Sequence, residues 1–265
     1  MYAFLLRPKW IASHLLVGAL LATMVFMGFW QLNRLDQRQS TNNEVTTRIG
    51  QPEVDIGDLT SAAAEYSVGA DVRFRLARAT GEYRPDDEVL VLNRSLNGAP
   101  GYWVLTPLLL DDGTAVVVNR GWIPFRLAPG EPRPETAAAQ GLVVVSGLVR
   151  ETVVAQGIQS SDPADGVLDA LARPDLERYQ QQLSYEILPV LLQAEATAGA
   201  GNSLTADLPV ALPRPVLDQG PHFSYATQWF IFSIIGLIGY PLVLRRIARS
   251  DGKDGRHSDI PVDYL

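Results

Sequence analysis

The stretch WIASHLLVGALLATMVFMGFWQL, Trp10 to Leu32, contains no Asp, Glu, Lys or Arg. As a helix rising 1.5 Å per residue it reaches about 30 Å, the thickness of a bilayer's hydrocarbon core. A cleaved signal peptide is the competing reading, because Arg7 and Lys9 precede the apolar run. The run is longer than a signal core, however, and Gln31-Leu32-Asn33-Arg34 follows it in place of a small-x-small cleavage site, which favours an uncleaved anchor.

A second charge-free stretch runs from Phe223 to Leu244 around the core WFIFSIIGLIGYPLVL. Gly236, Gly239 and Pro241 weaken a soluble helix but are tolerated inside a membrane. Arg7 and Lys9 precede the first span, and Arg245, Arg246, Arg249, Lys253 and Arg256 follow the second, so the positive-inside rule puts both termini in the cytoplasm. The expected organisation is a cytoplasmic start (1–10), a first span (11–32), an extracytoplasmic domain (33–223), a second span (224–244) and a cytoplasmic tail (245–265). The expected fold class is an α+β membrane protein of the cell membrane. Two transmembrane helices flank a mainly antiparallel β domain with one or two short helices.

Residues 33–223 hold 15 Arg against 25 Asp and Glu and no Lys, a net charge of −10, which repels nucleic acid. The chain has no cysteine, which excludes disulfides, thiol redox chemistry and c-type haem attachment. Met1, Met24 and Met27 lie in or before the first span, and imidazoles come only from His14, His222 and His257. A soft copper site of thiolates and thioethers therefore has no ligands here.

Strand signals run through Val72 to Tyr83, Glu88 to Arg94, Tyr102 to Leu110, Thr114 to Ile123, Leu142 to Glu151 and Tyr185 to Glu195, all rich in Val, Leu or aromatic residues. Turn chemistry at Arg84-Pro85-Asp86-Asp87, Asn97 to Gly101 and Asp111-Asp112-Gly113 predicts an antiparallel meander. Within it, Val89 to Arg94 and Val116 to Arg120 form a half-repeat ending in Asn-Arg, expected on adjacent strands. Arg173 to Tyr179 reads as a short helix. Residues 50–70 read as a connector, 155–170 as a surface loop, and 196–221 as a linker back to the membrane.

No hydrolytic constellation is present. Ser-His-acid catalysis needs a histidine beside the nucleophile, and His222 is the only one on the outer side; Lys9 and Lys253 both fall on the inner side, which excludes a Ser-Lys dyad. Asp86-Asp87-Glu88 and Asp111-Asp112 read as solvated turn residues. Gly199-Ala200-Gly201 lacks the third glycine and the context of a dinucleotide site. The informative group is His222, Tyr225 and Trp229, which share a helix face at the outer end of the second span. Imidazole beside aromatic rings suits a flat macrocycle such as haem, with iron on the histidine; the plain alternative is an interfacial aromatic belt. His14, about 25 Å away at helical rise, cannot be the opposite ligand. Arg34, Arg38, Arg94 and Arg120 are candidate partners for carboxylates such as haem propionates, with ordinary ion pairs the simpler account.

Four blocks carry a resemblance. Gly28-Phe29-Trp30-Gln31-Leu32-Asn33-Arg34, Gly81-Glu82-Tyr83 with Gly101 to Leu108, Val118 to Pro124, and His222 to Phe230 together resemble the surfeit locus protein one family. The resemblance implies a non-enzymatic assembly factor for haem-copper cytochrome c oxidase. Its partner would be the haem-bearing large subunit, and haem a would be held transiently at His222 as iron ligand, with Tyr225, Trp229, Arg34 and Arg120 around it. Two alternatives stay open: an accessory subunit that remains on the oxidase or a respiratory supercomplex, and a membrane-tethered ligand-binding module.

Overall fold

A computed structural model describes residues 3–61, 72–127, 129–130, 133–157, 159, 161–195 and 208–254. In chain order its elements are α1 (Pro8–Ile49), β1 (Val54–Asp55), α2 (Ile56–Ser61), β2 (Leu76–Tyr83), β3 (Val89–Leu96), β4 (Ala99–Leu109), β5 (Ala115–Pro124), β6 (Leu142–Arg150), β7 (Ala170–Leu171), α3 (Leu176–Gln180), β8 (Ile187–Ala194) and α4 (His222–Asp254). They divide into two compact units, Met1–Asn43 with Leu217–Leu265, and Glu44–Val216.

In the first unit, α1 begins with Pro8, whose missing N–H falls where a helix needs no donor. It continues well past its apolar stretch before Gly50 and Pro52 stop it, so the helix runs several turns beyond the span. Both α1 and α4 are long and apolar enough to cross a bilayer. Their outward side chains are greasy and uncovered: Leu16 is 71% exposed and Leu237 64%. The two helices pack antiparallel. Phe29 meets Phe230 edge to face at 5.4 Å, a Cβ on Gly236 would stand 2.8 Å from Leu21 Cδ2, and His14 Nδ1 lies 2.6 Å from the Tyr240 hydroxyl. Gly18 has nothing within 4 Å of its Cβ position, so the close approach is made by Gly28 and Gly236.

The second unit holds one sheet in the order β1-β2-β6-β8-β5-β4-β3-β7, and β2 also pairs with β4. That extra pairing, Glu82 with Leu109 and Tyr83 with Leu108, closes β2, β6, β8, β5 and β4 into a ring. Closure requires Gly81, because a Cβ there would run into the Leu109 carbonyl. The cyclic order, with β5 and β8 parallel, is that of a small five-stranded Greek-key barrel of the OB type. Its interior is filled by every ring strand: Ala77 and Ala79, Leu108, Val116 and Val118, Val149, and Val190 and Leu192, with Ile56 of α2 added. Alternate residues of β5, Ala115 and Val117, face the opposite way and pack with Val89, Val91, Leu176 and Tyr179 under α3. β5 is thus buried on both faces, which its run of valines requires.

Several expectations need correction. The β3-β4-β5 meander is antiparallel, but β1–β2, β3–β7 and β5–β8 are parallel, so the sheet is mixed. The chain between β6 and β8 is long enough to cross over and insert β8 beside β5. The β3-β4 turn is the two-residue Asn97-Gly98, both with positive φ (50° and 82°), and β4 starts at Ala99. β2 starts only at Leu76, because Phe74 adopts φ 66° in the turn that precedes it. The supposed connector contains β1 and α2, with Ile56 only 1% exposed. The helix expected from Arg173 starts at Leu176, since Asp175 takes the N-cap position and accepts the Arg178 N–H. The supposed linker is partly ordered on the sheet: Val210 and Trp122 exchange both backbone hydrogen bonds at 2.8 Å. Residues 62–70 of the connector, 196–207 of the linker with Gly199-Ala200-Gly201, and Arg256 and His257 lie outside the described residues.

The half-repeat is not a pair of neighbours, because β4 runs between β3 and β5. Asn93 has φ 56° and sits where the β3–β4 register shifts, whereas Asn119 is 1% exposed and accepts the Gly121 N–H.

Candidate functional site

The site is built where α1 leaves its apolar stretch and α4 begins. Gly220, at φ 63°, turns the chain into Pro221, whose carbonyl accepts the Tyr225 N–H, and His222 becomes the first helical residue. Its ring reaches α1: Nδ1 lies 2.9 Å from Gln31 Oε1. The other edge of the imidazole is bordered by Gly220, where a Cβ would stand 3.2 Å from Cδ2 and 3.3 Å from Nε2. A side chain at Gly220 would crowd Nε2.

Of the residues singled out from sequence, Tyr225 is 47% exposed and Trp229 is partly buried, one and two turns further along α4. Arg34 stands one turn beyond Gln31 on α1, its guanidinium 5.5 Å from the Trp30 ring and its Nη1 donating to Gln37 Oε1 at 3.0 Å. Among the described residues, His222 shares no hydrogen bond with Tyr225, Trp229 or Arg34. Arg38 is exposed. Towards the middle of the helix pair lies an apolar groove of about 610 Å³, bordered by Leu21, Ala22, Val25, Phe26, Ser233 and Leu237. Gln31 is the residue that sequence reasoning missed. It sits in the quoted Gly28 to Arg34 block as the one amide side chain of the charge-free run, which was the available signal.

Arg120 belongs to a different cluster, in the second unit. Glu88 accepts from Arg120 Nη1 at 3.0 Å, Arg133 Nη2 at 3.0 Å and Thr106 Oγ1 at 2.7 Å. The side chains of Glu88, Arg120 and Arg133 are only 10–13% exposed. Glu88 is therefore not a solvated turn residue: a buried carboxylate between two guanidiniums holds the loop after β5 against β4. Arg120 also donates to the Ala137 carbonyl and lies 5.5 Å from the Tyr83 ring. Burial pushes the Tyr83 phenol up, partly offset by Arg120. Among the described residues Arg94 has no carboxylate partner; it stacks 4.6 Å over Trp103 and donates to Ala172, and burial, with Arg173 adding to it, lowers its pKa. Asp112 is the turn residue expected, accepting from the Thr114 N–H at 2.9 Å and hydroxyl at 2.7 Å. Among the described residues no group of three or more His, Cys, Asp or Glu could hold a bare metal ion.

Comparison with known proteins gives one family. The SURF1 family matches residues 18–234, which takes in α1 from Gly18 onward, the whole sheet and the first thirteen residues of α4. An uncharacterized SURF1-like protein of Mycobacterium tuberculosis is 30% identical over 242 residues, 89% of this chain and 84% of the relative. A SURF1-like protein of Caenorhabditis briggsae is 24% identical over 256 residues, 88% and 75% respectively. One from Rickettsia felis is 20% identical over 238 residues, 89% and 98%.

Proposed function

The chain belongs to the SURF1 family, and from that premise we propose that it is a membrane-anchored, non-enzymatic assembly factor for cytochrome c oxidase that holds haem a at His222 on its way to the large oxidase subunit. The observation that carries this reading is the setting of His222: one ring nitrogen meets Gln31 across the helix pair, and a glycine, with no side chain to crowd it, borders the other. A histidine presented in that way suits a haem iron. Tyr225 and Trp229 offer aromatic surface along the same helix, and Arg34 offers a cation for a propionate.

Both apolar helices cross the cell membrane in this reading, because their uncovered Leu, Ile and Phe side chains are stable only against lipid or another protein. Both termini are cytoplasmic and the sheet unit is extracytoplasmic. Reporter fusions at each terminus and in the loop after β5 test that arrangement, and an outward-facing terminus overturns it.

The functional test is complementation. Deleting the gene lowers the haem a content of the oxidase, the intact chain restores it, and the His222→Ala chain does not. Normal haem a content and oxidase activity in the deletion strain reject the assembly role. Near-stoichiometric recovery of this chain in purified, active oxidase rejects transient action in favour of a resident subunit.

A further inference from the structure

We infer that Gln31 is the positioning residue that sets the tautomer of His222, so that the ring presents a lone pair, not a proton, at Nε2. The inference rests on the reading of His222 as an iron ligand, and it assigns a role to a residue on the other helix.

The argument is one of donors and acceptors. An amide oxygen has no proton to give, so a 2.9 Å contact between Gln31 Oε1 and His222 Nδ1 is a hydrogen bond only if Nδ1–H donates. A neutral imidazole carries one N–H, and with that proton at Nδ1 the Nε2 lone pair is free. Neutral histidine in water prefers the opposite tautomer, with the proton on Nε2, where it blocks metal binding. Gln31 reverses that preference before any ligand arrives.

Two features make the arrangement specific. Gly28, one turn before Gln31, lets the helices close: a Cβ there would stand 2.7 Å from the Phe230 ring, so a larger residue would push Gln31 away from His222. Gly220 guards the opposite edge, where any side chain would enter contact with Nε2. Gln31 thus fixes the proton at Nδ1, and Gly220 keeps a side chain away from Nε2.

The test needs one readout before haem and one after. The full chain, purified in detergent and labelled with 15N-histidine, contains only His14, His222 and His257, so His222 is assigned by its loss in His222→Ala. At pH 8 the expected spectrum shows Nδ1 protonated and Nε2 bare, and Gln31→Leu moves the proton to Nε2. Haemin is then titrated into each protein. Gln31→Leu weakens binding about 10- to 100-fold, whereas Gln31→Glu, which keeps an acceptor and adds negative charge, retains affinity, lowers the midpoint potential and shifts the low-spin EPR signal. A His222 tautomer already protonated on Nε2 in the wild type overturns the inference. So does a Gln31→Leu protein whose tautomer, affinity and EPR signal match the wild type while His222→Ala loses haemin; the ligand assignment then survives alone. Equal haemin binding by wild type and His222→Ala overturns the ligand assignment and the inference with it.

Discussion

Gly28 of α1 lies against the ring of Phe230 on α4, so close that a Cβ would stand 2.7 Å from both Cε1 and Cζ. Gly18, on the same helix, has an empty Cβ position. Gly28→Leu is therefore expected to force the pair apart at a cost of about 1–3 kcal/mol, and Gly18→Leu to be silent. The chain has no cysteine, so the double substitution Leu21→Cys and Gly236→Cys reports helix proximity cleanly. Disulfide formation should fall several-fold in the Gly28→Leu background and stay unchanged in the Gly18→Leu background.

The buried ion triad gives a second expectation. Glu88→Gln removes the carboxylate that Arg120 and Arg133 share, and removing one partner of a buried pair costs about 3–5 kcal/mol. Arg126 and Glu135 also pair, at 2.9 Å, but with side chains 59% and 49% exposed, so Arg126→Ala should cost less than about 1 kcal/mol. Denaturant unfolding of the chain in detergent, followed by tryptophan fluorescence, separates the two.

Stability should fall at alkaline pH through two phenols. Burial pushes Tyr179 and Tyr185 above the ordinary tyrosine range; Asp87 adds to the shift of Tyr185, which donates to its carboxylate at 2.6 Å, while Tyr179 donates to the Asp87 carbonyl. Tyrosines of the unfolded chain ionise near pH 10. The folded state keeps protons that the unfolded state releases, so this stabilisation is complete below about pH 10 and is lost progressively above it. Unfolding free energy measured across that range should decline less steeply in Tyr185→Phe than in the wild type.

Gly121→Ala should detach the segment around Val210 from the sheet. Gly121 has φ 134°, and a Cβ would collide with the Val210 carbonyl, the acceptor of the Trp122 N–H. Strain and collision together make a loss of about 2 kcal/mol or more the expected outcome. Hydrogen exchange at the Trp122 and Val210 amides is the direct readout, and unchanged protection at both would refute the expectation.

Much of the fold was legible because its signals are local. The charge-free runs identify both apolar helices, Asn97-Gly98 and Asp111-Asp112-Gly113 mark the hairpins on either side of β4, and the valines of β5 announce a strand buried on both faces. The errors fell where local pattern gives no guide. Nothing in Ile187 to Ala194 says that β8 enters parallel beside β5, and nothing in the Pro-rich stretch after 207 says that Val210 will pair with Trp122. Glu88 reads as a turn carboxylate until β4, β5 and the following loop bring Thr106, Arg120 and Arg133 around it.

By itself, then, the sequence determined what each segment prefers as a solvent: lipid for the two charge-free runs, water on one side and core on the other for the strands, and an imidazole at the edge of the second run. Those preferences depend on the chemistry of neighbouring residues and need no partner. The tertiary structure alone decided which nitrogen of His222 meets a partner, because Gln31 stands 191 positions away in the chain and meets the ring only where α1 and α4 pack. A hydrogen bond is a short-range, directional force. Its partners are chosen by the packing of whole helices, which residue order constrains only through the fold.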